Sequence, residues 1–311
     1  MVRTFLKTSH LLACCSALVL FCAQPATAES DSKPAQAYKP SISISTTPIY
    51  QFETPLHNGN VSVYRQHTNV RWSTEISANT EMGLNLSYDY ADYRFTGKTT
   101  LAGGIKPWGT THTLNLGNSY KFNLSPEWSL MATPSVSISR EENAGWGNAV
   151  SYGGYAALIR NISPDLSLGI GGGIYNNLGR VSFFPGLAIR WRITDRLLLT
   201  NPLRPGLTGP AGLELSYRLD GGWDVGSGIA YRHNCFRLKN NSFTQDGIGD
   251  VTSLPAWVRV SHSLGDNFNF DLYSGVMFGG MMRIDDKDGY RLSSDRHQPA
   301  PFMALTVSAR F

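Results

Sequence analysis

The residues that could catalyse a reaction are few and scattered along the chain. A lipid hydrolase needs a serine, a histidine and a polar residue that orients the histidine, all converging on one spot. His112 is the best placed histidine, since it has lipid parity near the outer end of its strand, but its hydroxyl neighbours in the run Thr110–Thr113 match no hydrolase motif. The chain also contains no Gly-x-Ser-x-Gly or His-Glu-x-x-His sequence. Its Gly97-Lys98-Thr99 run is not a phosphate-binding loop, because Asp92 stands where that motif has its first glycine. We therefore predict a protein that is not an enzyme.

No metal or cofactor site is predicted. Cys235 is the single cysteine outside the N-terminal segment, so it forms neither an internal disulfide nor a metal site. The run Asp285–Asp288 is acidic, but it lacks the regular oxygen-ligand spacing of a calcium loop. The formal net charge of +4 falls to +2 once Arg3 and Lys7 are removed with a leader, since 4 − 2 = 2. That charge is too small to indicate nucleic-acid binding.

Alternation of apolar and polar residues dominates the chain and predicts β-strands. Near the C-terminus, Met303, Leu305, Val307, Ala309 and Phe311 alternate with mostly polar residues, which gives one apolar and one polar face. Turns rich in Pro, Asp, Asn and Gly interrupt this pattern. Six are tight, at 76–82, 124–128, 162–166, 193–197, 219–223 and 264–268. Longer polar connections lie between them, at 51–60, 96–108, 141–148, 176–180, 204–210, 236–253 and 279–299.

Short and long connections that alternate along a chain are typical of an up-and-down antiparallel barrel. We therefore predict an all-β transmembrane barrel of about fourteen strands, with twelve as the alternative. An even number of strands places both chain ends on the same side. The predicted strands are 41–50, 60–77, 82–95, 109–123, 128–140, 149–160, 166–175, 181–193, 197–203, 211–219, 223–235, 254–264, 268–278 and 300–311.

Charged residues within the strands indicate which face lines the lumen. A basic side chain that faces lipid at the bilayer midplane costs about 2–4 kcal/mol, so central charges should point inward. Fourteen residues share the inward parity, nine of them basic and five acidic. Two interpretations fit these charges: an ion-pair network that braces the wall, or a basic constriction that favours anions. They are Arg65, Arg71, Glu75, Asp89, Lys121, Arg190, Arg192, Glu214, Arg218, Asp224, Arg232, Arg259, Asp271 and Arg310.

Aromatic residues fall near the two ends of the predicted strands, as the two interfaces of a membrane favour. One band comprises Trp72, Trp128, Trp191, Trp223, Phe268 and Phe311, and the other Tyr64, Tyr88, Tyr90, Tyr231 and Phe278. With the alternating strands and the terminal Phe311, the chain resembles Gram-negative outer-membrane β-barrel proteins, a porin-like class. The resemblance implies short periplasmic turns and longer extracellular loops. It also implies contact with outer-membrane lipid and lipopolysaccharide, and recognition of the last strand by the barrel-assembly machinery.

The N-terminal segment predicts export. Arg3 and Lys7 precede the apolar stretch Leu11–Ala23, and Ala26–Ala28 is a small-x-small cleavage site, so residues 1–28 are predicted to be a signal peptide. Lipoprotein processing at Cys14 is the alternative. Residues 29–40 would be a flexible periplasmic segment and 41–311 the barrel. No further stretch is long and apolar enough for a transmembrane helix. The expected location is the outer membrane, with both termini periplasmic.

Three functions follow from this organisation. The first is a passive pore for small polar solutes, with a basic lumen that favours anionic ones. The second is a structural or surface-recognition barrel whose lumen is blocked, and the third is a lipid-modifying enzyme at the rim around His112. A continuous cavity lined by basic residues favours the pore, and those residues are Arg190, Arg192, Arg218, Arg232 and Arg259. Salt bridges that fill the bore favour the second, and a Ser or Thr hydroxyl on His112 favours the third.

Overall fold

The computed structural model describes residues 40–201, 207, 211–241 and 243–311. The predicted signal peptide and nearly all of the predicted periplasmic segment lie outside these residues. The described strands are β1 Ser41–Leu56, β2 Gly59–Ser77, β3 Thr80–Thr96, β4 Thr110–Asn123, β5 Trp128–Glu141, β6 Val150–Ser163, β7 Leu166–Asn177, β8 Arg180–Arg192, β9 Leu197–Thr200, β10 Ala211–Arg218, β11 Trp223–Arg237, β12 Ile248–Leu264, β13 Phe268–Asp285, β14 Arg291–Arg296 and β15 Ala300–Arg310. One short 3-10 helix spans Thr100–Ala102. No helix within these residues is long and apolar enough to cross a membrane.

The strands close into an antiparallel barrel. Strands β1 to β13 pair with their neighbours in sequence, β13 pairs with β15, and β15 pairs with β1. Because β14 and β15 both pair with β13, they form two halves of one wall strand, and the barrel has fourteen strands. Ile42 and Phe311 exchange two backbone hydrogen bonds of 3.0 and 2.8 Å at the seam. The predicted all-β barrel of fourteen strands is confirmed, and the alternative of twelve is wrong.

All six predicted tight turns lie at the end of the barrel where the seam holds Ile42 and Phe311, which we call the turn end. The opposite end is the loop end. Four of the long connections predicted there are wrong. β1 and β2 are joined through His57–Asn58 and β7 and β8 through Leu178–Gly179, and the predicted connections 236–253 and 279–299 contain strand residues of β11 to β14. Gly59 and Gly179 have φ of 121° and 95°, a conformation that permits such turns. Their flanking residues are polar, and the sequence pattern therefore hid the continuing strand ladder.

An apolar belt covers the outside of the barrel. Its large exposed side chains alternate with inward-pointing residues along every long strand, as lipid contact requires. Members of the belt include Ile44, Leu84, Leu86, Leu114, Leu116, Val136, Leu158, Ile170, Phe183, Leu187, Leu213, Leu215, Val258, Leu272 and Leu305.

The apolar belt allows the position of its residues relative to the bilayer midplane to be tested. Val258 and Leu264 are both outward residues of β12, with exposed fractions of 62% and 59%. Leu264 pairs with Phe268 at the turn end, whereas Val258 lies between Leu264 and the loop-side Leu254. We expect Val258→Arg to lower the free energy of unfolding by about 2–4 kcal/mol and Leu264→Arg by about 0–1 kcal/mol. Reversible urea unfolding in lipid vesicles measures both, and equal losses would place Val258 away from the bilayer centre.

Four strands continue past the barrel wall and fold across its mouth. We name this sheet the flap; it comprises residues 232–237, 248–252, 281–285 and 291–296. The bend lies where β12 and β13 lose register around Ser253, and Gly279 there has a φ of 56°. Arg237 reaches across the mouth and forms a parallel bridge with Arg140 of β5, six strands away around the wall. Ile248, which has outward parity, is fully buried, so the flap is covered on both faces.

Candidate functional site in the barrel lumen

An apolar cluster fills the mouth beneath the flap. We call it the plug. Trp108 lies at its centre, with ring centroids 5.7 Å from Tyr93 and 5.4 Å from Phe236 in edge-to-face contacts. The plug joins the inner face of the flap to the lumen faces of β2 and β3 and to the segment between β3 and β4. Its buried members are Leu56, Val61, Val63, Ala91, Tyr93, Leu101, Ala102, Trp108, Phe236, Leu238, Val251, Met282 and Ile284.

A buried carboxylate ties the plug to the opposite wall. Glu141, at the end of β5, has an exposed fraction of 1%. Its Oε1 accepts a hydrogen bond from the backbone N–H of Gly109 at 3.0 Å, and its Oε2 accepts one from the backbone N–H of Lys239 at 3.1 Å. The Lys239 ammonium lies 3.5 Å from the same carboxylate. One side chain therefore connects β5 to the segment carrying Trp108 and to the chain that leaves the flap.

Further polar contacts hold the other edges of the flap. Arg180, the first residue of β8, forms an ion pair with the buried Asp285 of β13. Arg283 lies 3.1 Å from the other carboxylate oxygen of Asp285. On the far side, the backbone N–H of His57 donates to the Asp295 carboxylate of β14 at 3.3 Å. The flap is thus fastened to β5, to β8 and to the β1–β2 turn.

Below the plug, one side of the lumen is packed solid by a charge network. Arg259 donates from Nη2 to Glu214 Oε1 at 2.9 Å and to Asp224 Oδ1 at 2.5 Å, and from Nη1 to Asp271 at 3.3 Å. Trp257 Nε1 donates to Glu214 at 3.0 Å. Arg259, Glu214 and Asp271 are all buried, so these charges compensate one another away from water.

The other side of the lumen is lined by small polar residues that stay partly exposed. We call it the polar wall, and it is carried by β3 to β5, with one further residue on β7. Its inward residues include Asn85, Ser87, Thr113, Asn115, Ser119, Thr133, Ser135, Ser137 and Ser167. Inward-facing side chains keep such exposure only if water enters the barrel beside them. The lumen therefore combines a dry half beneath the plug with a wet half along the polar wall.

The remaining predicted lumen residues lie near the turn end. Lys121 pairs with Glu81 at 3.1 Å and Arg192 with Asp165 at 3.3 Å, both in exposed positions. The others are exposed to solvent without a carboxylate within 4 Å among the described residues; they are Arg71, Arg190, Arg218 and Arg310, and Glu75 is likewise exposed. The structure does not bring Arg190, Arg192 and Arg218 together with Arg232 and Arg259 around one cavity.

A second cationic group lies at the base of the flap. Arg232 of β11 and Arg65 of β2 are both buried and face a cavity of about 10 Å³ that His297 also lines. Arg232 Nη2 is 3.6 Å from Asp89, and Arg65 Nη2 donates to the Tyr93 hydroxyl at 2.7 Å. Burial lowers the pKa of His297, in the connection between β14 and β15, below its ordinary value. A neutral imidazole is therefore favoured beside the two guanidinium groups.

The outward face carries the residues of the predicted girdles and the rim. Trp128, Trp191, Trp223, Phe268 and Phe311 are exposed near the turn end, and Trp72 is partly exposed there. His112 receives its contact from the Tyr88 hydroxyl at 2.7 Å, so its partner is a phenol rather than a Ser or Thr hydroxyl. Within the described residues no group of three or more His, Cys, Asp or Glu is placed to bind a metal ion.

A closed, even-stranded antiparallel barrel with an apolar exterior and polar lumen residues defines an outer-membrane β-barrel, and the outer membrane is the location of this fold. The chain belongs to the family described as a domain of unknown function, DUF6268, whose model matches residues 57–311. A search of curated proteins found no match.

Solved structures with a similar chain course include channels and transporters. An outer membrane channel from Pseudomonas putida F1 is 10% identical, with 90% of this chain and 100% of that chain covered and a TM-score of 0.48. The toluene transporter TodX from P. putida is 9% identical, with 88% and 90% covered and a TM-score of 0.43. The translocator domain of the autotransporter NalP from Neisseria meningitidis is 10% identical, with 88% of each chain covered and a TM-score of 0.40. Likeness this remote assigns no function to this chain.

Sequence reasoning missed the residues that close the mouth. Glu141 and Trp108 lie at the edges of predicted loops, where charged and aromatic residues are ordinarily exposed. Gly279 also went unnoticed, although a glycine pair at 279–280 next to a strand is a known signal for a bulge or bend. That signal identifies the place of the bend but not the surface onto which the strands fold.

Proposed function

We propose that this protein is an outer-membrane channel for small polar solutes whose mouth is closed by the flap and plug in the conformation described above. The observation that carries the proposal is the polar wall. Partly exposed Ser, Thr and Asn side chains line the inside of three neighbouring strands, β3 to β5, which suits water and solutes rather than a packed core. The plug closes the barrel at the loop end, and the Arg259 network fills the half of the lumen that lies across from the polar wall.

The contacts that hold the flap are of a kind that would allow it to open. Glu141, Asp285 and Asp295 hold the flap through a few polar contacts. The strand ladder ties the flap to the barrel strands that it continues, and a single bridge between Arg237 and Arg140 joins it to β5. A closure of this kind opens when those contacts are exchanged for water, and the bend at Gly279 supplies the place where the strands move. Polar solutes would then pass between the polar wall and the Arg259 network.

Removing one fastening should raise the probability of opening. Glu141→Gln removes the negative charge that accepts from two backbone N–H groups and pairs with Lys239. Because a charge-assisted hydrogen bond stabilises by a little more than 1 kcal/mol, we expect the closed state to weaken enough for opening to become about tenfold more frequent. Glu142→Gln is the matched control, because Glu142 is the adjacent residue and is exposed. Single-channel recording of the refolded protein in a planar bilayer measures both.

The recording also decides between two functions. Conductance steps in the parent protein that become more frequent in Glu141→Gln support the gated channel. The second candidate is a surface-recognition barrel with a blocked lumen, and the buried plug and Arg259 network favour it. A folded barrel that stays silent in both variants would reject the channel. Attention would then turn to exposed loop-end residues such as Tyr290 and Trp146.

We also propose how the barrel is delivered and oriented. A signal peptide of residues 1–28 would be removed during export, and the turn end with both termini would face the periplasm. The last strand, ending in Phe311, would be recognised by the barrel-assembly machinery. The apolar belt and the two aromatic bands suit contact with outer-membrane lipid and lipopolysaccharide. A membrane-impermeant thiol reagent added to intact cells tests the orientation, because it should label Tyr290→Cys at the loop end and not Asp220→Cys at the turn end.

A further inference from the structure

The cavity at the base of the flap has the composition of an anion site. Its polar lining residues are Gln51 of β1, Arg65 of β2, Arg232 of β11, Ser253 of β12 and His297, and the rest of its lining is Val63, Tyr93, Val251, Met277 and Met282. Arg232 Nη1 and Gln51 Nε2 are buried donors that have no hydrogen-bond partner within the described part of the chain. Buried donors of this kind carry a free-energy cost unless an acceptor satisfies them.

The charges around the cavity leave one positive charge without a partner. Arg65 and Arg232 contribute two guanidinium groups, and Asp89 is the single carboxylate within 4 Å of either one among the described residues. His297 is favoured as the neutral imidazole, so it adds neither charge. A water molecule would satisfy the free donors but would leave the buried charge unbalanced, whereas an anion does both.

We propose that this cavity binds one small inorganic anion of halide size. The ligand would accept from Arg232 Nη1 and Gln51 Nε2 and would balance the charge of Arg65. The cavity is small, about 10 Å³, so the proposal is confined to a single monatomic anion. Gln51 and Arg65 belong to the barrel wall, and Arg232 is the first residue of the flap. An anion bound between them would therefore hold the flap against the wall.

Halide dependence of stability tests the site. At equal ionic strength, the refolded parent protein should unfold at a higher urea concentration in chloride or bromide than in gluconate, since a ligand that binds only the folded state stabilises it. Gln51→Glu replaces a buried donor of this cavity with a carboxylate that supplies the missing negative charge, so this variant should fold while its apparent halide affinity falls about tenfold or more. Arg190→Gln, at an exposed position of the same parity, should keep the halide dependence of the parent protein.

A structural measurement separates the anion from water. Crystals grown in bromide should show an anomalous difference peak within hydrogen-bond distance of Arg232 Nη1 and Gln51 Nε2. Unfolding midpoints that are equal in bromide and gluconate, together with no anomalous peak, would overturn the proposal and assign the cavity to water. Neither measurement depends on conductance, so the anion site and the channel stand or fall separately.

Discussion

Replacing Arg259 with methionine should lower the free energy of unfolding by about 3–5 kcal/mol. Methionine fills much of the same space, but it leaves the buried carboxylates of Glu214 and Asp271 facing each other without the shared guanidinium. Removing one partner of a buried charge network costs far more than the network contributes as a whole, because the remaining charges stay desolvated. Reversible urea unfolding in lipid vesicles measures the loss.

Two comparisons show whether charge or volume causes this effect. Arg190→Met removes the same group from an exposed position of the same inward parity and should change stability by less than about 0.5 kcal/mol. Adding Glu214→Gln and Asp271→Asn to Arg259→Met removes the uncompensated charges and should recover a large part of the loss. If Arg259→Met costs no more than Arg190→Met, the network does not stabilise the barrel.

The wall of this barrel was predictable because its signals are local and periodic. Alternation with a period of two fixes which side chains point inward, and tight turns such as Leu219–Trp223 fix where each strand reverses. Arg259, Glu214 and Asp271 share the inward parity for this reason, and the structure brings them together. Nearest-neighbour pairing in an up-and-down barrel then leaves little freedom of topology.

Parity does not fix how deep a residue lies or which part of the wall it occupies. Arg190 and Arg259 have the same inward parity, yet Arg190 is exposed near the turn end and Arg259 is buried in the network. The depth of a residue along the barrel axis depends on the stagger between neighbouring strands. That stagger accumulates around the barrel and cannot be determined from the sequence of one strand. For this reason parity alone does not distinguish an inward residue that enters an ion-pair network, such as Arg259, from one that stays exposed, such as Arg190.

The flap was hidden for a different reason. Above the bend at Gly279, β12 and β13 are buried on both faces, so an outward residue such as Ile248 packs against protein instead of lipid. Where both faces of a strand are buried, inward and outward residues no longer differ in polarity, so the alternating sequence pattern disappears. Polar residues such as Asp285 remain in these segments because ion pairs hold the flap. A mixture of apolar and charged residues without alternation resembles an ordinary loop, and only long-range contacts reveal the sheet.

Replacing Trp108 with alanine should convert the closed barrel into one that conducts. Trp108 has an exposed fraction of 1% and contacts Tyr93, Phe95 and Phe236 within the plug. Truncating a buried tryptophan costs about 3–5 kcal/mol. Because the plug packs only when the flap is closed, most of that cost falls on the closed state. A loss of about 3 kcal/mol shifts the closed-to-open equilibrium by about two orders of magnitude.

Trp146→Ala is the matched control for that experiment, because Trp146 lies in the β5–β6 connection with an exposed fraction of 62%. Planar-bilayer recording should show frequent openings of Trp108→Ala and unchanged behaviour of Trp146→Ala. Heat-modifiable mobility on gels confirms that both variants remain folded barrels, which excludes leakage through misfolded protein. A folded Trp108→Ala barrel that passes no current would mean that the lumen stays blocked below the plug. The dry half around Arg259, rather than the flap, would then be the barrier.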